Sequence, residues 1–187
     1  MRIISGSFKG KKILEPKDRS TRPLKDLTKE SIFNIILHSN KFNTEVSNSN
    51  VLDLFSGVGS FGLECLSRGA SFTTFVENYK EVLPVLKKNI FNMSYQNISS
   101  IIEKNIFDKL NFNNFDKKFD IIFMDPPYKE KKLLFLMDAI TELKLLNTDG
   151  VIIIHRHKKE VDEFPGKFHI IMKKNYGISK IIFGSYS

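Results

Sequence analysis

Asp125-Pro126-Pro127-Tyr128 is the stretch of this 187-residue chain whose residue types answer most directly to a chemical need. It follows Phe119–Met124, an almost wholly apolar run that predicts a buried strand. Two prolines after such a strand give up two backbone donors and fix the path of the chain, leaving carbonyls facing whatever lies beyond the sheet. Asp125 adds a carboxylate. The pairing suits an exocyclic aromatic amine, a poor nucleophile because its lone pair is delocalised into the ring. The Asp125 carboxylate and the Pro126 carbonyl would accept its two N–H groups, place the nitrogen and favour a pyramidal geometry. A nitrogen that has just accepted a carbon is strongly acidic, so Asp125 or water could take its proton. Tyr128 offers a flat face on which a base can stack, worth about 1–3 kcal/mol.

A second constellation opens at Val51-Leu-Asp-Leu-Phe55, another strand pattern, and passes into Gly57, Gly59 and Gly62 as G-x-G-x-x-G. In that order the glycines are expected to make a tight turn, a bare backbone for a ligand, and a close helix-strand contact. Asp53 decides between ligands. A carboxylate beside the turn would repel the pyrophosphate of a dinucleotide and attract a cationic ligand. S-adenosylmethionine, with a sulfonium, an ammonium and no phosphate, is favoured over NAD or FAD. Glu77 stands twenty residues after Gly57 and ends the run Phe75-Val-Glu77, where it could accept hydrogen bonds from both ribose hydroxyls. Asn105 could read an adenine edge or cap the turn after it.

These groups need a frame that brings strand ends together. From Val51 onward strand and helix patterns alternate, which predicts a parallel α/β sheet with ligands beyond the strands' carboxyl ends. Strands are expected at 51–55, 72–76, 98–103, 119–124 and 151–154, with an antiparallel pair at 168–173 and 178–183 split by Asn175-Tyr-Gly177. Helices are expected at 60–68, about 79–93 with a kink or later start at Pro84, and 131–146, with a short helix or turn near 106–110. A turn is read at Asn147–Gly150. Ahead of this body, Arg2-Ile-Ile and Phe8–Leu14 read as a hairpin around Ser5-Gly6-Ser7 with lysines outward. A helix follows over 23–37, its apolar stripe made by Leu24, Leu27, Ile32, Ile35 and Ile36, with Lys29 off it. The polar stretch 38–50 marks the boundary between an appendage, 1–40, and a main domain, 41–187.

The net charge of +8 suggests an anionic partner, and residues 1–30 carry nine basic against four acidic groups, 9 − 4 = +5. Such clustering favours a phosphate-binding face. Cys65, the single cysteine, reads as a buried, inert thiol. No cluster has metal-ligand spacing and no run is long enough for a membrane span, so a cytoplasmic protein without metal is expected.

Taken together, the chain resembles the bacterial 16S rRNA guanine-N2 methyltransferases of the RsmD type. The likeness runs through Arg2-Ile-Ile-x-Gly6, Lys9-Gly10, Arg22-Pro23, Lys29-Glu30, Phe33-Asn34, Asp53-Leu-Phe-Ser-Gly-Val-Gly59, Gly62-Leu-Glu64, Leu66-Ser-Arg-Gly69, Val76-Glu77, Asn89 and Asp125-Pro-Pro-Tyr128. The resemblance implies a Rossmann-like class I fold with a mostly parallel seven-stranded sheet and a C-terminal antiparallel pair. It implies S-adenosylmethionine held by Asp53, Gly57, Gly59, Glu77 and Asn105 with their neighbours Phe55, Asn78 and Ile106. Asp125, Pro126, Pro127 and Tyr128 would take the target guanine. Arg2, Lys9, Lys11, Lys12 and Arg22 would meet 16S rRNA of the small subunit or its assembly intermediate, and the protein would act as a monomer. Three departures stand out: Leu24 and Leu27 replace the usual Thr and Arg, Tyr79 replaces an acid so that Asn78 is expected to cap the second helix, and His155 ends the fifth strand where Glu is common. His155, Arg156 and His157 read as basic surface rather than catalytic machinery. The competing readings are a DNA adenine-N6 or cytosine-N4 amino-methyltransferase and an RNA-binding protein without catalysis.

Overall fold

A computed structural model describes residues 1–16, 24–107, 115, 117–127 and 129–186. Arg22, Pro23, Tyr128 and positions 108–110 of the expected short helix or turn lie outside them. Among the described residues seven strands form one sheet: β1 Asn50–Leu54, β2 Phe72–Val76, β3 Ser99–Ile102, β4 Phe119–Met124, β5 Leu146–His157, β6 Phe168–Tyr176 and β7 Ser179–Tyr186. Their order is β3-β2-β1-β4-β5-β7-β6. The first five are parallel, and β7 and β6 join antiparallel. The order reverses between β1 and β4, which is where an open α/β sheet leaves its ligand crevice. Residues alternate between two apolar layers as the strand period requires: Val51, Ile121 and Ile153 lie in one, Leu52, Ile122 and Ile152 in the other. Helices α1 (Asp26–His38), α2 (Ser60–Ser67) and α3 (Leu83–Asn92) cover the first layer, and α4 (Leu133–Glu142) covers the second.

Several boundaries differ from the sequence expectation. Helix α3 starts at Leu83 with Pro84 in its first turn, where a missing N–H costs nothing. Its N-cap is Val82, so Asn78 does not cap it. The turn expected at 147–150 is absorbed into β5. The β4–β5 register jumps from Phe119 opposite Leu146 to Ile121 opposite Val151, and Asp120 ties down the excess by accepting from Asn147 Nδ2 (2.6 Å) and Asn50 N–H (2.8 Å).

The N-terminal arm keeps hairpin pairing only as one antiparallel bridge, Arg2 with Lys12, because the turn runs over residues 5–10. Ile3 and Ile13 nevertheless reach the first apolar layer. The arm is fastened by charge. Glu64 of α2 accepts Ile4 N–H (2.7 Å), Ser5 N–H (2.9 Å) and Arg68 Nε (2.8 Å). Lys29 lies 3.4 Å from it, with both side chains fully buried. The Lys29 ammonium also donates to the Arg2 carbonyl and Ser60 Oγ. Lys29 was expected off the buried stripe of α1, whereas Leu27, expected on it, is exposed. Burial pulls the Lys29 pKa down, and the Glu64 carboxylate opposes that shift.

Candidate active site

Beyond β1 the chain turns sharply. Phe55 takes φ +59, a conformation an aromatic residue seldom adopts and one that costs on the order of 1–3 kcal/mol. It is held on both sides: Asp125 N–H donates to the Leu54 carbonyl (3.3 Å) and Ser56 N–H to the Val76 carbonyl (3.1 Å). The glycines divide their work differently from the sequence expectation. Gly57 has φ +54, and a Cβ there would meet no atom within 4 Å, so it is the glycine that leaves room for a ligand. A Cβ on Gly59 would lie 2.6 Å from Leu86 Cδ1, and one on Gly62 2.4 Å from the Phe75 ring. Both of those are packing positions.

Asp53 is 1% exposed and lies under the loop, its Oδ2 accepting the Gly62 N–H at 2.9 Å. Burial pushes its pKa up to about 8, and the charges of Asp125 and Glu77 push the same way against the Gly62 hydrogen bond. Glu77 closes the loop's other side. Its Oε2 accepts Gly57 N–H (2.8 Å), while Oε1 accepts the N–H groups of Asn78 (2.9 Å) and Tyr79 (2.8 Å). The carboxylates of Glu77, just past β2, and Asp125, just past β4, therefore converge at one end of the sheet, with the buried Asp53 carboxyl between their strands. A diphosphate would add to their repulsion, whereas a sulfonium with an ammonium would offset it.

Asp125 and its neighbours are set by β5. Met124 pairs with Ile154, so Asp125 and His155 are the next pair outward. Their side chains meet, His155 Nδ1 lying 2.8 Å from Asp125 Oδ1. Arg156, 2% exposed, reaches across to donate Nη1 to the Pro127 carbonyl (3.1 Å) and Nη2 to the Glu130 carbonyl (3.0 Å). Its Nε donates to buried Asp162 (2.8 Å), which also pairs with Lys180. The reading of His155 and Arg156 as basic surface is thus corrected: both are buried, because a carboxylate and two carbonyls on the neighbouring strand's exit need donors. The signal was their place, at the carboxyl end of the strand beside β4. The Pro127 carbonyl, also used by Glu130 N–H (2.8 Å), is occupied.

Phe55, Val76, Glu77, Asn78, Lys104, Asn105, Ile106, Phe107, Pro127 and Glu130 line one cavity of about 220 Å³. The structure thus gathers Phe55, Glu77, Asn78, Asn105 and Ile106 with Pro127 of the proline turn. Gly57 joins through Glu77, while Asp53 and Gly59 shape the loop from behind. Asn105 serves the wall and also accepts Phe107 N–H (3.1 Å), so its cap role is realised. A second hollow of about 220 Å³ sits at the opposite strand ends, and two of its three acids, Asp120 and Asp149, are tied to Asn147, Asn50 and Asn43. Arg2, Lys9, Lys11 and Lys12 are exposed on the arm, outside the cavity wall. No group of His, Cys, Asp and Glu among the described residues could hold a metal, and no helix among them is long and apolar enough to cross a membrane.

The model of the family described as conserved hypothetical protein 95, the RsmD family, matches residues 1–185. The chain belongs to this family. Buchnera aphidicola, from Acyrthosiphon pisum, has a relative named ribosomal RNA small subunit methyltransferase D, 33% identical over 172 residues that cover 92% of this chain and 86% of that protein. YlbH of Bacillus subtilis is 34% identical over 189 residues, 97% of this chain and 96% of YlbH. Among solved structures, Haemophilus influenzae HI0767 superposes with a TM-score of 0.77 at 27% identity, covering 98% of this chain and 97% of that one. Escherichia coli yhhF reaches a TM-score of 0.83 at 23% identity, covering 100% of this chain and 97% of that one. The fold is that of class I S-adenosylmethionine-dependent methyltransferases, and S-adenosylmethionine is the cofactor it implies. The residues fit that ligand: the open face of Gly57, an acid where a ribose needs acceptors, and the paired carboxylates of Glu77 and Asp125, which favour a cation.

Proposed function

We propose that this RsmD-family chain methylates the exocyclic N2 amine of a guanine in 16S rRNA of the small ribosomal subunit, in the cytoplasm and as a monomer. The observation that carries the reading is the shared cavity: Phe55 after β1 and Pro127 after β4 line the same wall. The names of the Buchnera relative and of a Haemophilus influenzae relative, 29% identical over 179 residues, support rRNA of the small subunit as the substrate.

When bound, S-adenosylmethionine supplies a methyl group on a sulfonium. Phe55, Gly57, Glu77, Asn78, Asn105 and Ile106 would hold it, with Asp53 and Gly59 keeping the loop in shape. The Asp125 carboxylate and the Pro126 carbonyl hold the two N–H groups of the amine, and Asp125 receives the proton lost from nitrogen. Tyr128 stacks on the base. The Pro127 carbonyl is engaged by Arg156, and the Pro126 carbonyl is the acceptor assigned to substrate in this reading. A guanine inside a folded RNA has to leave its stack to reach these groups. Residues 1–40 form the appendage that meets RNA through Arg2, Lys9, Lys11, Lys12 and Arg22.

The test is transfer of labelled methyl to protein-free 16S rRNA, to small subunits and to duplex DNA, with the modified nucleoside identified. We expect N2-methylguanine from ribosomal substrates, and a preference for DNA would overturn the assignment. Asp125→Ala should lower turnover by about 100-fold or more with cofactor affinity little changed.

A further inference from the structure

Asp125 stands just past the last residue of β4, its backbone tied to β1 by one long hydrogen bond, N–H to the Leu54 carbonyl at 3.3 Å. A carboxylate there can rotate about two side-chain bonds, and only some settings present an oxygen to an amine. His155 is placed differently. It lies within β5, paired with Ile181 of β7, and is 8% exposed. The parallel register brings these two side chains out at one level, and their contact is Nδ1 to Oδ1 at 2.8 Å. An ionised carboxylate only accepts, so in this contact Nδ1 carries the hydrogen.

We propose that His155 is a positioning residue for Asp125: its Nδ1–H holds Oδ1 and so leaves Oδ2 as the acceptor for the substrate amine. This rests on the reading of Asp125 as the group that holds the amine. A side chain inside a strand thereby fixes one just past a strand's end, the arrangement that keeps a reacting group within the narrow range of geometry chemistry needs. In this role His155 touches neither base nor cofactor and acts on the reaction through Asp125.

Three substitutions separate this role from simple filling of space. His155→Leu keeps bulk and removes the donor, His155→Asn puts an amide N–H near the position of Nδ1, and His155→Gln puts one near Nε2. Turnover on small subunits with labelled S-adenosylmethionine is measured for each, with cofactor affinity by calorimetry and thermal melting as the check on folding. His155→Leu and His155→Gln should lose about 10- to 100-fold in kcat with cofactor Kd and the KM for subunits within about twofold of the parent, and His155→Asn should return to within about threefold. On an Asp125→Ala background, His155→Leu should cost nothing more. Wild-type turnover in His155→Leu, equal loss in the Asn and Gln variants, or a full further loss on the Asp125→Ala background would overturn the proposal. If His155→Leu does not fold, the comparison of Asn with Gln decides. Wild-type turnover in Asp125→Ala would instead remove Asp125 itself, a result distinct from a slow Asp125→Ala beside a fast His155→Leu.

Discussion

Asp53 makes a prediction whose size follows from its burial. Its pKa rises from 3.8 to about 8 on folding. Between those values the folded chain keeps a proton that the unfolded chain has released, so each added pH unit costs stability, by about 1.4 kcal/mol at the full slope. Integrated from pH 6 to pH 8, allowing for half-ionisation at the upper end, the Asp53 contribution falls by about 2 kcal/mol. It is exhausted above roughly pH 9. For a chain of this length that is a drop in Tm of about 4–8 °C. Asp53→Asn keeps an oxygen to accept the Gly62 N–H and removes the titration. Urea unfolding of the parent and Asp53→Asn, without cofactor and at fixed ionic strength, isolates this one group as the difference between two pH profiles, since every other titration cancels. The parent should lose about 2 kcal/mol relative to the variant over that interval. Parallel profiles would refute the argument that Asp53 is held protonated under the loop.

The two loop glycines should fail in opposite ways. Gly57→Ala should cost about 1 kcal/mol of stability for its backbone conformation yet lose most cofactor affinity, because its methyl group enters the ligand's space. Gly59→Ala should cost about 2–4 kcal/mol, adding a clash with Leu86 to the same backbone term. Urea unfolding beside calorimetric titration distinguishes them, and equal stability losses would show that the division of labour is wrong. For the arm, joint replacement of Lys9, Lys11 and Lys12 by Ser should weaken RNA binding and lower the slope of log K against log salt by up to about 2–3, one phosphate contact per lysine. Filter binding over a salt series measures it, and an unchanged slope would take the arm out of the interface.

How much of this was legible in the sequence depended on range. The central strands were readable because a strand buried on both faces is an apolar run, and Asp125 was readable because it directly follows one. Glu77 and Asn105 were picked out by the same logic of strand ends, and both line the cavity. His155 and Arg156 satisfy that logic too, but their cationic character suggested solvent. What buries them are partners some thirty residues back in the chain, at 125, 127 and 130, and periodicity carries no trace of those. Lys29 was misplaced for the same reason, since its burial depends on Glu64. Gly59 was expected to be bare and is crowded, because the motif fixes spacing while the crowding comes from Leu86 on another helix.

These long-range contacts join what would otherwise be two separate devices. Helix α2 begins directly after Gly59, and its third residue, Gly62, is the one Asp53 pins. Its first residue, Ser60, accepts from Lys29, and its fifth, Glu64, holds the backbone of Ile4 and Ser5. At its far end the Ser67 carbonyl accepts Ser7 N–H and the Ser67 hydroxyl accepts Phe8 N–H. Eight residues at 1.5 Å each make a rod about 12 Å long. The loop that shapes the cofactor site leads into the start of this one short helix, and the arm proposed to grip RNA is fastened along its length, by buried charges as well as apolar contact. Breaking such a pair leaves an uncompensated buried charge, a penalty of about 3–5 kcal/mol. The arm therefore keeps a fixed register with the loop, and RNA would reach the cofactor at a constant distance if, as proposed, the arm holds it.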